Sequence, residues 1–328
     1  MKFFLVSLVA ATLLPFTGVH PVHAIEDGTQ RPPTATNLKP GEYTWDAAAA
    51  NDDPAGAIAI IVSLGDQNLG VYRNGVLVGR STISSGRKDF ETPHGIYMIV
   101  EKNRTHHSNK YHEASMPYME RLTWSGLAIH AGNTPGHPES HGCMHVPEDF
   151  AKDLYGYTQL GNTVLIAQGV NKPVATAVPN ALFAGGAKAD APAPVSTEAK
   201  PDFVFDGKKV ASGAYTIAFS SADKRAYVFR KEIEIGRADL AGLEAGKKFG
   251  DYVYVASDRK TPEDKTEWTL LGKSDDSPAA HMKELAKDLV IPPGLQTEIL
   301  GVIQPGTTLV VTDSAVKPDK PADANPED

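Results

Sequence analysis

Two stretches of the chain restate each other in the same order, and that repetition limits the fold more than any other feature. Ile58–Arg80 set against Tyr215–Arg237, 157 residues further on, matches Ile60 with Ile217, Ser63 with Ser220, Asp66 with Asp223 and Val71 with Val228. It also matches Arg73 with Arg230, Gly79 with Gly236 and Arg80 with Arg237. Val146–Gln168 set against Ile291–Asp313, 145 residues further on, matches Pro147 with Pro292, Gly156 with Gly301, Gln159 with Gln304, Gly161 with Gly306 and Thr163 with Thr308. Two blocks in one order read as an internal repeat whose second copy is about 12 residues shorter in its middle. The copy does not carry the same side chains throughout: at the second offset Cys143 falls on Asp288 and His141 on Ala286.

Each copy reads as mainly β. Ala57–Val62 is a β-branched run typical of a buried strand. Val71-Tyr72-Arg73 turns at Asn74-Gly75 into Val76-Leu77-Val78, a strong hairpin signal. Ile96–Val100, Gly126–His130 and Thr163–Ile166 are further strands. Pro147–Tyr155 fits a short helix, with Pro in its first turn and Glu148 and Asp149 near the positive end of the dipole. With 29 glycines and 24 prolines, the expected architecture is a β-sandwich or barrel with short helices, plus a second, degenerate copy of the same module.

The ends and joints differ in composition. Lys2, the apolar run Phe3–Leu14 and the cleavage-like Val22-His23-Ala24 form a secretory signal peptide over residues 1–24, so the mature protein is expected to be exported. No later stretch approaches the roughly 18 apolar residues of a membrane span, so no transmembrane segment is expected after signal cleavage. Residues 25–55 read as a flexible lead-in anchored by Tyr43 and Trp45, 56–168 as the first module, and 169–200 as an Ala/Pro-rich linker. Residues 201–313 form the repeat and 314–328 a disordered tail; the linker is long enough for a mobile second module. A formal charge of −8 with no long basic run excludes a nucleic-acid binder. A single cysteine excludes a disulfide framework within the chain and any multi-cysteine metal site.

In an oxidising compartment that lone thiol needs a reason, and its neighbours supply one. After signal cleavage nine histidines remain, and eight of them lie between His94 and His145. A thiol becomes a useful nucleophile beside a base, and His130 at a strand end and His141 two residues before Cys143 are the candidates. Gly142 removes a side chain where a carbonyl must approach and allows backbone amides to face an oxyanion. His137, His141 and His145 have the spacing of metal ligands on a helix, but Pro138 and Gly142 interrupt a helix there, so no metal is expected. His106, His107 and His112 read as solvated residues of a long polar loop over Arg104–Met119, able to serve as a lid. Thr92-Pro93-His94-Gly95 reads chiefly as a turn, and Trp124 and Tyr118 as core or rim residues.

Ile129-His130-Ala131-Gly132 followed by Ser140-His141-Gly142-Cys143 resembles the active-site signature of the L,D-transpeptidases, the YkuD-type cysteine enzymes of bacterial peptidoglycan, over about residues 57–168. The resemblance implies acyl transfer through a Cys143 thioester, with His130 as base oriented by a backbone carbonyl, and His141 beside the pair. It assigns the oxyanion hole and substrate pocket to Ser140, Gly142, Met144, His145, Ala131 and Gly132, with Trp124 and Tyr118 at the rim. Peptidoglycan stem peptides would be donor and acceptor, carbapenem-type inhibitors would acylate Cys143, and no cofactor is implied. Two departures matter. Only nine residues lie between His130 and Ser140, fewer than in many members, so the loop over the site is compact. His145 stands where the family commonly has Arg, a permanent and bidentate carboxylate grip. A thiol hydrolase acting on stem peptides or wall-linked proteins, and a non-catalytic wall-binding module, remain open on the sequence alone.

Overall fold

The computed structural model describes residues 30–31, 37–46, 48, 56–108, 113–169, 174–177, 179–184, 203–231, 233–241, 243, 246, 248–273, 282, 285–287 and 289–316. The expected signal peptide at 1–24, residues 185–202 of the expected linker, His112 and Asp288 lie outside them. The architecture is mostly β, as the sequence suggests.

The first module pairs two sheets. The larger contains β1 (Gln30–Arg31), β2 (Tyr43–Trp45), β3 (Ile58–Ser63), β4 (Asn68–Arg73), β5 (Val76–Thr82), β6 (Gly95–Met98) and β11 (Thr163–Ala167). Its strand order is β1-β2-β5-β4-β3-β11-β6. The smaller contains β7 (Glu101–Ser108), β8 (Ala114–Arg121), β9 (Ala128–Ala131) and β10 (Met144–Val146), in the order β10-β9-β8-β7. Alternation divides the side chains. Ile60, Val62, Val164 and Ile166 of the large sheet meet Ile129, Ala131, Met144 and Val146 of the small one in a core closed by Phe150 and Leu154 of α1 (Glu148–Tyr157). Tyr43 is fully buried with its ring edge-on to Phe150 at 5.7 Å, so the lead-in is anchored where expected. The polar stretch expected to be a loop over Arg104–Met119 is instead largely the β7–β8 hairpin.

The second sheet system holds β12 (Val174–Thr176), β13 (Phe203–Phe205), β14 (Tyr215–Ser220), β15 (Arg225–Arg230), β16 (Ile233–Asp239), β17 (Tyr252–Lys260), β18 (Thr266–Lys273) and β19 (Thr308–Thr312). Its inner order β16-β15-β14-β19-β17 runs as β5-β4-β3-β11-β6 does in the first module. The registers agree as well: Thr163 pairs with Ala59, and Thr308 with Thr216, both in parallel. A register irregularity falls between Val71 and Tyr72 in one hairpin and between Val228 and Phe229 in the other.

Three boundaries differ from the sequence reading. Part of the expected linker is folded: β12 pairs with β18, and α2 (Asn180–Ala184) puts Leu182 and Phe183 into the core of the second module beside Leu295 and Ile299 of α3 (Pro293–Val302). The tail is ordered as far as Val316, which is 6% exposed. The second module is packed rather than mobile. Ala59, Ile61, Tyr72, Ile96, Leu165 and Ala167 on the outer face of the large sheet share one core with Ala218, Tyr227, Phe229, Val253, Val255 and Val310. The approach is close enough that a Cβ on Gly272 would lie 2.4 Å from Leu165 Cδ2.

A buried polar group ties the small sheet to α1. Lys102 Nζ donates to the carbonyls of Tyr155 at 2.6 Å and Thr158 at 2.7 Å, covering helix-end acceptors that lack partners of their own. Glu120 lies 3.6 Å from that ammonium and accepts from the Thr158 hydroxyl. Burial pushes the Glu120 carboxyl up to about 7, against the opposing pull of Thr158 and Lys102.

Two outcomes are expected. A chain ending at Gln168 uncovers the outer face and should aggregate on size exclusion, or melt at least about 10 °C lower, the size of a loss of a few kcal/mol. A raised carboxyl pKa gives stability that is present below the unfolded value of 4.5 and lost as pH rises through about 7. Glu120→Gln should therefore gain on the wild type by up to about 1.4 kcal/mol per pH unit across that window, read from denaturant melts at pH 5 and 8.

Candidate active site

The register between β9 and β10 builds the site. These strands run parallel, with Met144 opposite Ile129, His145 opposite His130 and Val146 opposite Ala131. Ile129, Ala131, Met144 and Val146 turn into the core, so His130 and His145 point to the other face. Cys143 precedes Met144 and falls opposite Ala128, and it packs there against Met116, Met119 and Ala128. Its Sγ donates to the Gly126 carbonyl at 3.4 Å.

His130 is 6% exposed, and its Nδ1 lies 2.8 Å from the Ala131 carbonyl oxygen. A carbonyl only accepts, so Nδ1 carries the proton and Nε2 is left as the acceptor. This is the backbone orientation that the resemblance implies for a base at His130. Burial pulls the imidazole down to about 4, reinforced by His145 and opposed by the Ala131 bond. The His130 and His145 ring centroids are 4.8 Å apart. Burial also lowers His145, against the pull of the Asn133 backbone and Glu139. Gly132 makes room for that ring, since a Cβ there would stand 2.7 Å from His145 Cγ.

The turn before the thiol is held by side chains. Ser140 Oγ donates to the Cys143 carbonyl at 2.5 Å and accepts from the Gly142 N–H at 3.0 Å, so that amide is engaged within the turn. Gly142 has φ +118°, a conformation that favours glycine. Thr92 Oγ1 donates to the Gly142 carbonyl at 2.7 Å and accepts from the Gly86 N–H at 2.9 Å. The Thr92–Gly95 turn is thus a clamp on the nucleophile loop as well as a turn. His141 is held at the rim: its Nε2 accepts from Arg87 Nη2 at 2.8 Å, and its ring stands edge-on to Phe90 at 4.8 Å.

Three expected pocket residues lie elsewhere. Met144 and Ala131 are buried in the core because strand alternation turns them away from His130 and Cys143, and only the Ala131 carbonyl serves the site. Tyr118, at φ +56°, turns its ring to Tyr155 of α1, with centroids 5.9 Å apart, and packs on the core side. Trp124 does border the site, in the turn that supplies the Gly126 carbonyl. The sequence reading missed Arg121, Arg87 and Thr92 as neighbours of the site, and it placed His106 in solvent. His106 is half-buried in β7, where burial and Arg121 lower its pKa. The Thr92-Pro93 turn motif was the only local signal; Arg121 and His106 reach the site through cross-strand pairing. Among the described residues, no group of three or more His, Cys, Asp or Glu is placed to hold a metal ion, and no helix is long and apolar enough to cross a membrane.

Residues 57–166 match the family model of the L,D-transpeptidase catalytic domain, YkuD. Similar solved structures include an L,D-transpeptidase from Mycobacterium tuberculosis H37Rv, 24% identical, with 34% of this chain and 57% of that chain covered and a TM-score of 0.33. An L,D-transpeptidase from Stackebrandtia nassauensis is 26% identical, with 37% and 60% covered and a TM-score of 0.32. L,D-transpeptidase 3 from Mycobacterium tuberculosis, solved with a faropenem-derived adduct, is 21% identical, with 34% and 60% covered and a TM-score of 0.32. The chain thus spans about three fifths of the length of these structures. No curated protein matches the chain.

With its imidazole held near 4, His130 is neutral and able to accept a proton well below neutral pH. The acid limb of Cys143 acylation should therefore lie below about pH 5.5, where a solvent-exposed histidine at about 6.5 would already have failed. His145→Gln removes the second lowering influence and should move that limb to higher pH. A limb between 6 and 7 in the wild type would exclude buried His130 as the base.

Proposed function

We propose that this chain is an exported cysteine L,D-transpeptidase that joins peptidoglycan stem peptides. The observation that carries the reading is the shared face of Cys143 and His130, with the imidazole fixed by the Ala131 carbonyl so that only Nε2 accepts. The thiol gives its proton to His130 Nε2 as sulfur adds to a peptide carbonyl of the donor stem. The tetrahedral adduct collapses to a thioester, and the departing amine takes the proton from His130. An acceptor amine then adds to the thioester, His130 receives its proton, and collapse restores the thiol. Ser140 and Thr92 act by holding the Gly142–Cys143 backbone, not by touching the reacting atoms. Export rests on the Lys2-to-Ala24 pattern. The second module is read as a copy of the first that lost its nucleophile and covers the outer sheet face of the catalytic module.

Incubating the protein with purified muropeptides and reading the products by mass spectrometry tests the activity. Cross-linked dimers are expected, with loss of the donor's terminal residue. Cys143→Ser should abolish them, and His130→Ala should slow them by about 10²–10⁴-fold, the scale of one general base. The wild type should gain one carbapenem mass on Cys143. Shortened stems without dimers would make water the acceptor and the protein a hydrolase. No adduct and no turnover would leave a wall-binding module.

A further inference from the structure

The face that carries the nucleophile continues past it. Arg121, the last residue of β8, stands opposite Ala128 of β9, and Ala128 packs against Cys143. The three residues follow one another across this face of the sheet, with the small alanine side chain between the arginine and the thiol. Two strand spacings put the Arg121 and Cys143 backbones roughly 10 Å apart, within reach of an arginine side chain and a short substrate group.

Arg121 is 3% exposed, yet only part of its guanidinium is satisfied. Its Nε donates to Glu101 Oε2 at 2.6 Å, and its Cζ lies 5.8 Å from the centroid of the Trp124 ring. Its Nη2 is buried and makes no hydrogen bond among the described residues. Trp124 belongs to the same turn as Gly126, whose carbonyl receives the Cys143 thiol. One edge of the fork is therefore anchored, and the other offers a donor beside the nucleophile. A buried donor left unmade costs the full desolvation of that group, so an acceptor oxygen arriving here is bound with little competition from water.

We propose that Arg121 Nη2, uncovered as the side chains over it give way to substrate, forms a subsite for a carboxylate of the donor stem peptide, next to the carbonyl that Cys143 attacks. The proposal rests on the reading of Cys143 as the acylated thiol. A carboxylate is the fitting class because the donor is a fixed cation whose planar fork is preset by Glu101 and Trp124. It also supplies a permanent charge where His145, neutral at and above neutral pH, does not. Arg87 is the competing cation, but its Nη2 is engaged by His141 and it lies over the Phe90 ring at the rim, 4.6 Å from the centroid.

Alkylation of the full chain by iodoacetate and by iodoacetamide separates these roles, because the reagents differ in the carboxylate alone. The ratio of the two Cys143 rates should fall at least fivefold in Arg121→Met, while the iodoacetamide rate stays within twofold of wild type. Arg121→Lys should keep part of the ratio, and Arg87→Met should keep all of it. With muropeptide donors, the Arg121→Met loss should fall on KM more than on kcat. An unchanged ratio in Arg121→Met overturns the subsite, as does a drop confined to Arg87→Met. If Arg121→Met does not fold, a wild-type ratio in Arg87→Met with a reduced one in Arg121→Lys still supports it, and equal ratios reject it. Failure of both reagents on wild-type Cys143 would instead overturn the nucleophile reading beneath it.

Discussion

The pairing of His145 with His130 across two short parallel strands decides which side of the small sheet holds the chemistry. A slip of one residue in that pairing would exchange the faces, sending His145 into the core and Met144 to the surface. Strands of three and four residues have few hydrogen bonds of their own with which to resist such a slip. The register is held from both sides instead. Met144 and Val146 are fully buried below, and Ser84 exchanges two backbone bonds with His145, at 3.0 and 2.9 Å. The Gly132 amide bonds the Val146 carbonyl at 3.0 Å, closing the far end. The position of the Cys143 thiol is therefore a consequence of core packing.

The same burial sets the electrostatics. Taking His130 out of water penalises its charged form, and a second imidazole 4.8 Å away adds to the penalty. An imidazole held near 4 carries no proton at neutral pH, so it is free to accept one and keeps no standing positive charge. The cost appears in stability. The folded protein holds this histidine neutral while the unfolded chain would protonate it, so stability is lost as pH falls from about 6.5 toward 4. Glu120, on the opposite face of the same sheet, acts in the opposite direction as pH rises through 7. The small sheet is thus squeezed from both sides of the pH scale by two buried groups.

Much of this was legible in the sequence because it is local. Asn74-Gly75, with φ +49° and +83°, names its own hairpin, and Pro147 caps the helix expected after it. Cys143 and His130 stood out as candidates by residue type and position, and Ser140 through the resemblance of its loop to a known signature. What could not be read was phase and long-range partnership. Met144 and Ala131 adjoin site residues in sequence and point away from them in space, because side chains alternate along a strand. Arg121 finds Glu101 twenty residues away through antiparallel register, which no local pattern announces. The folded part of the apparent linker is a related case: its composition is that of a spacer, but Leu182 and Phe183 are apolar enough to fill a waiting core.

The continuous apolar run Ala57–Val62 held more information about the second module than the length of the linker did. A sheet with one wet face alternates apolar and polar residues, whereas an uninterrupted run marks a strand covered on both sides. Ile60 and Val62 answer to the core beneath, and Ala59 and Ile61 need a partner above, which the second module supplies. That partner also reaches the chemistry. Ser314, just beyond the last strand, lies so close to Gly95 that a Cβ there would meet its hydroxyl at 2.7 Å. Gly95 ends the turn in which Thr92 holds the Gly142 carbonyl. A module without a matching thiol therefore bears on the loop that carries one, through the four residues Thr92–Gly95 and a single hydrogen bond.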